Sequence, residues 1–127
     1  MNYRDLSNEW LNYAIQDLAS AHFLRKMKPQ LPEIICFHCQ QAAEKALKAY
    51  LALHKKNIPY IHDLTVLNRS CAEIDDKINE LYSSCEQLND FSVKTRYPTD
   101  HELSEKDIPE ALRNASKILD FVKAELA

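Results

Sequence analysis

Not one glycine occurs in the 127 residues of this chain, and that absence narrows the possible folds more than any motif present. Glycine is the residue that occupies positive backbone angles cheaply and lets the backbone approach a phosphate closely. Without it, the Gly-rich phosphate loops of nucleotide-binding α/β proteins cannot be built, and tight two-residue hairpins lose their preferred Asn-Gly and Asp-Gly turns. Helices joined by polar connections need no glycine, so an all-α chain is the expectation. The length suits one domain over residues 1–127, enough for a single sizeable core.

Periodicity supports the same reading, since no segment sustains the period-2 alternation of a strand. A first helix is expected from about Leu6 to Lys26, with Leu11, Ala14, Ile15, Leu18, Ala21 and Leu24 or the stem of Arg25 on one stripe and Trp10 widening it. Pro29 and Pro32 interrupt the pattern, and Pro32 with Glu33 opens a second helix running to about His54. Its apolar arc, from Ile35 and Cys36 to Leu53, is wide enough to touch several neighbours and marks it as the central helix. Glu44 and Lys48 stand at i, i+4 on what reads as its wetter face. Asp63 is placed to cap a short helix from Leu64 to about Ala72. A fourth helix is expected from Asp75 or Asp76, through Ile78, Leu81, Cys85, Leu88 and Phe91, ending near Arg96 ahead of Pro98. Asp107 as cap and Pro109 in the first turn begin a fifth, whose stripe runs from Ile108 to Leu126. The fold expected is an antiparallel up-and-down four-helix bundle with one additional short helix.

Composition excludes several functions. No apolar run approaches the roughly 20 residues of a bilayer span and the first residues do not have the layout of a signal peptide, so no membrane association is expected and the default location is cytoplasmic. Cys36, Cys39, Cys71 and Cys85 read as reduced thiols packed in the core. Cys36-Phe37-His38-Cys39 is half of a zinc-like spacing with no second pair to complete it, and neither a metal nor another cofactor is expected. Facing Glu-x-x-His pairs of a two-metal bundle are missing as well. The net charge of −3 means that any RNA contact must be a local basic patch, with Lys45 and Lys48, beside Lys55 and Lys56, as its candidates.

Chemistry concentrates after the fourth helix, in Arg96-Tyr97-Pro98-Thr99-Asp100-His101. Arg offers a permanently charged fork for phosphate oxygens and His a proton donor or acceptor near neutral pH. Asp100 is a candidate to orient the imidazole, and Tyr97 is the one tyrosine in the segment. The bland alternative is that Arg96 caps helix carbonyls and His101 is one surface histidine among five. His62 reads as a capping or packing residue, and His22, His38 and His54 as structural or solvent-facing.

Three stretches taken together, Gln40-Gln41-Ala42-Ala43-Glu44-Lys45-Ala46, Ile61-His62-Asp63-Leu64 and Arg96-Tyr97-Pro98, resemble in order those of the HEPN family, the higher eukaryote and prokaryote nucleotide-binding domain. The resemblance covers nearly the whole chain. It implies an all-α bundle that forms a homodimer and, in many members, a metal-independent endoribonuclease in which an Arg, four to six residues and a His from both subunits meet at the dimer cleft. Arg96 and His101 match that spacing. It further implies a minimal nucleotidyltransferase encoded nearby, the pair acting as toxin and antitoxin, and in one branch a His-x-Tyr whose Tyr is AMPylated by that partner. Leu103 stands at that position here. The rival readings are a non-catalytic HEPN module that binds a nucleotidyltransferase or a nucleotide, and a structural helical adaptor.

Overall fold

The structure, a computed structural model, describes residues 2–96 and 103–127, the side chains of 92–96 excepted. Within these residues the chain is all-helical. Helix α1 spans Tyr3–Leu24, α2 Pro32–Leu53, α3 Leu64–Ala72, α4 Tyr82–Arg96 and α5 Asp107–Leu126, with a 3₁₀ helix at Asp76–Leu81 ahead of α4. No described helix is long and apolar enough to cross a membrane.

Helix α2 is the common wall, in contact with α1, α3, α4 and α5. Its width of apolar surface makes this possible. Ala42, Ala43, Ala46 and Ala49 are fully buried, and such small side chains allow neighbouring backbones close approach. Tyr50, Leu47 and Leu51 are buried along with them, and on α5 Ile108, Ala111, Ala115, Ile118 and Val122 are buried in a helical rhythm. Pro32 occupies the first turn of α2, where its missing N–H costs nothing. Beyond the helix end, Lys55 adopts a positive φ of 62°, doing in a glycine-free chain what glycine ordinarily does at such a position.

Several expectations need correction. Helix α1 starts three residues earlier than expected because Asn2 caps it, its Oδ1 accepting from Asp5 N at 2.7 Å. Ile15 is more than one-third exposed, and Ser7, whose hydroxyl donates to Ala49 O at 2.7 Å, is buried on the α2 side in its place. Leu24, not the stem of Arg25, completes the stripe. The fourth helix is two pieces: Asp75 caps the 3₁₀ helix through Lys77 N, and the α-helix starts only at Tyr82. Asp107 is the first residue of α5 rather than its cap, and its carboxylate reaches back to accept from Ser104 N at 2.9 Å. Asp63 does cap α3, accepting from Thr65 N and Val66 N.

Candidate functional site

Arg96 is the last residue of α4. Tyr97, Asp100 and His101 lie outside the described residues. What the structure does place is the frame on either side of them. On the α4 side, Phe91 is buried in the core; on the other, so is Leu103, at 6% exposure. The position that carries tyrosine in the His-x-Tyr pattern is therefore a core position here. Ser104 follows, its hydroxyl accepting from Lys106 N as α5 begins.

Helix α4 is held from both sides by amide side chains. Asn89 accepts from Leu64 N at 2.9 Å and donates to Asp63 Oδ1 at 2.7 Å, tying α4 to the start of α3. Gln87 Oε1 accepts from Asn114 Nδ2 at 2.9 Å, tying α4 to α5. The hydroxyl of Thr65, then Asn89 and the backbone amides at the helix start, hold the Asp63 carboxyl below its ordinary value against a smaller opposing effect of burial. Arg96 thus ends a helix whose register is set by side-chain clamps.

Lys45 and Lys48 belong to two charge networks along α2. Asp17 of α1 accepts from Lys45 Nζ at 2.6 Å and contacts His38 Nδ1 at 3.0 Å. One turn on, Glu44 accepts from Lys48 Nζ at 3.2 Å and contacts His62 Nδ1 at 2.9 Å. An ionised carboxylate only accepts, so both Nδ1 atoms carry the proton. The Lys45 ammonium also lies 5.8 Å from the ring centre of Tyr13, and that of Lys48 5.5 Å from Trp10. Glu44 and Lys48 do not lie on a wetter face: each side chain is only 5% exposed, because Trp10 and His62 close over them. Both lysines spend their charge on internal carboxylates. The remaining histidines are as expected: His22 is exposed, and the exposed His54 packs at a tilt against Tyr50, ring centres 4.6 Å apart.

Sequence reasoning did not single out Asp17 or Asn89. Asp17 sits on a polar helix face like any solvated acid, and only the register of α1 against α2 puts it between His38 and Lys45. Asn89 had no signal beyond being an amide in the fourth helix.

All four cysteines are buried. Burial pushes the thiols of Cys39, Cys71 and Cys85 up to about 12, with a smaller contribution from Cys36 beside Cys39 and from Cys85 beside Cys71. These are core thiols, unsuited to metal binding or nucleophilic work. Among the described residues no group of three His, Cys, Asp or Glu side chains is gathered to hold a metal.

A glycine-free helical bundle built on a central Gln-Gln-Ala-Ala-Glu-Lys-Ala helix, with Arg96 ending its fourth, defines a recognisable class. The HEPN domain family model matches residues 7–125, and the chain belongs to that family. Among solved structures it is similar to TT1696 from Thermus thermophilus, at 29% identity and a TM-score of 0.81, covering 98% of this chain and 99% of that one. It shares its fold with ST0689, an archaeal HEPN homologue, at 23% identity and a TM-score of 0.74, over 95% of this chain and 98% of the other. No curated protein matches it.

Proposed function

We propose that this protein is a metal-independent endoribonuclease of the HEPN type, the toxin half of a two-gene module with a minimal nucleotidyltransferase, acting in the cytoplasm as a homodimer. The observation that carries this reading is the Arg96 and His101 pair, separated by four residues, in a chain that belongs to the HEPN domain family.

In this reaction the 2'-hydroxyl of the RNA attacks its own adjacent phosphate. A neutral His101 takes the proton from that hydroxyl, while a protonated His101 from the second subunit gives one to the departing 5'-oxygen. The P–O5' bond breaks as the P–O2' bond forms, leaving a 2',3'-cyclic phosphate and a 5'-hydroxyl. Arg96 stabilises the charge that builds on the equatorial oxygens of the phosphorane. Asp100 orients the imidazole in this scheme, and Tyr97 lines the same segment.

A second reading, a HEPN module that binds a nucleotidyltransferase or a nucleotide without cutting RNA, is favoured by two observations. Lys45 and Lys48 are occupied by Asp17 and Glu44, which weakens their candidacy as phosphate contacts, and the chain is net acidic. One experiment separates the two: digestion of total RNA in EDTA by wild type, His101→Ala and Arg96→Lys. The nuclease reading expects wild-type cleavage, a loss of at least about 100-fold on removing the proton carrier, and poor activity with lysine, whose point charge does not reproduce the fork. Equal cleavage by His101→Ala and wild type refutes the pair. No cleavage by wild type, with light scattering still giving twice the chain mass, favours the binding module.

A further inference from the structure

The closed end of the α1–α2 hairpin exposes an apolar group that the core does not use. Phe23 is 68% exposed, Met27 47%, Ile34 43% and Phe37 42%. Beside them, Ala19, Ser20, Phe23, Leu24 and His38 line an open depression of about 460 Å³. The depression is shallow and open to solvent, so it offers one apolar side chain of a ligand a face to lie against. The His38 ring is held in place: Asp17 fixes its Nδ1, and Phe37 packs edge-on to it with ring centres 5.9 Å apart. The Ser20 hydroxyl in the same lining donates to Gln16 O at 2.9 Å, so it is already satisfied.

The charge at this end is opposite to that of the whole. Arg25, Lys26 and Lys28, all exposed, stand against Glu33 alone between residues 23 and 37, in a chain of net charge −3. Lys26 lies 5.7 Å from the Phe23 ring centre, and none of the three cations has an ion pair among the described residues. The helix ends change this little: the carbonyls of His22, Phe23 and Leu24 at the end of α1 are taken by the amides of Arg25, Lys26 and Met27, and Glu33 in the first turn of α2 answers the positive end of that helix.

We propose that this end of the hairpin is a docking surface for an acidic peptide segment of another protein, which seats a large apolar side chain in the depression beside Phe23 and His38 and sets its carboxylates against Arg25, Lys26 and Lys28. A second copy of this chain is a poor occupant, because a two-fold axis through the patch brings the same three cations face to face. A lipid surface is met by protruding side chains and has nothing to fill a depression. The inference is independent of the proposed nuclease activity, since neither Arg96 nor His101 takes part.

The test is selection of phage-displayed random dodecapeptides on the full chain, counter-selected on Phe23→Ser/Phe37→Ser, followed by fluorescence anisotropy of the enriched peptides. Both exposed aromatics are replaceable without loss of fold, which a melting curve within a few degrees of wild type verifies. The expected winners carry several Asp or Glu and at least one Trp, Phe, Leu or Met. They bind Arg25→Glu/Lys28→Glu at least tenfold more weakly, and lysine in place of their acids restores binding to that variant. Failure to enrich, winners without acids, or affinity indifferent to charge reversal overturns the proposal. So does binding of the wild-type protein to phosphatidylglycerol vesicles through these residues in the absence of peptide binding, or conversion of a dimer to a monomer by Phe23→Ser/Phe37→Ser.

Discussion

Replacing Glu44 by Leu removes a carboxylate that is 5% exposed and leaves Lys48, equally buried, with its ammonium facing Trp10 and no counter-ion. Breaking a buried pair from one side typically costs about 3–5 kcal/mol. Residual attraction to the Trp10 face and the flexible stem of lysine put this case at the low end, about 3 kcal/mol. Lys48→Met should cost less, about 2 kcal/mol, because Glu44 keeps the proton of His62 Nδ1 at 2.9 Å. Glu44→Leu/Lys48→Met removes both charges and fills the site with apolar volume, so it should fall within about 1 kcal/mol of wild type. The single losses then exceed the double by about 4 kcal/mol, a coupling that urea unfolding of the four proteins reads directly. For a chain of this size the Glu44→Leu loss corresponds to a melting point lower by roughly 12 °C. A loss under about 0.5 kcal/mol for Glu44→Leu, with an additive double variant, would mean that water reaches the pair and that the closure by Trp10 and His62 is wrong.

Asp63→Ala should cost about 1 kcal/mol through the lost cap, and it should remove part of the acid sensitivity of wild type. The Asp63 carboxyl is held below its ordinary value of 3.8 when folded, so its contribution is full above that pH and disappears as pH falls through the lower folded value; acid titration of the two proteins by circular dichroism compares them. The thiols of Cys39, Cys71 and Cys85 behave oppositely, being raised from 9.0 to about 12. Their contribution is intact below pH 9.0 and is lost as pH climbs towards 12, so wild type should unfold in alkali earlier than Cys39→Ala/Cys71→Ala/Cys85→Ala does relative to its own neutral stability. At about pH 8 the native thiols should react with a disulfide reagent only as fast as the chain opens. Leu103→Ala, at a core position 6% exposed, should cost about 2–3 kcal/mol in urea unfolding; a loss below about 0.5 kcal/mol would place that side chain in solvent.

The helices were legible because their stripes are long and unbroken. The α5 stripe and the all-round apolar character of α2 each give a direction as well as an existence, and the Asp63 and Pro32 boundaries follow from chemistry local to them. The subdivision of the fourth helix was not legible: Ile78, Leu81 and Cys85 keep a spacing that suits a 3₁₀ turn followed by an α-helix as well as one helix. Ile15 failed for a related reason, since a hydrophobic stripe read on one helix does not say how much of its width the partner covers. The charge networks failed differently. Glu44 and Lys48 have the spacing of a solvated surface pair, and only Trp10 and His62, distant in sequence, make them a buried one. At the candidate site the sequence supplied Arg96 and His101 by residue type and spacing, while the Asp63, Asn89, Gln87 and Asn114 clamps that hold α4 depend on tertiary contact and leave no mark in any single segment.

Because α1, α3, α4 and α5 all lean on α2, the molecule has a natural cleavage line in the connection between Leu53 and Leu64. A piece ending there carries α1 and α2 with the alanine wall of α2 bare; the other carries α3, α4 and α5, which touch one another but lack the wall that covers their buried faces. Neither half buries enough on its own to offset the entropy of ordering it, yet each presents the other with a matching surface. For two such halves, folding and association are one event governed by concentration. A scaffold of this kind is suited to serve as a two-piece reporter in which helical structure appears only when both pieces share a compartment.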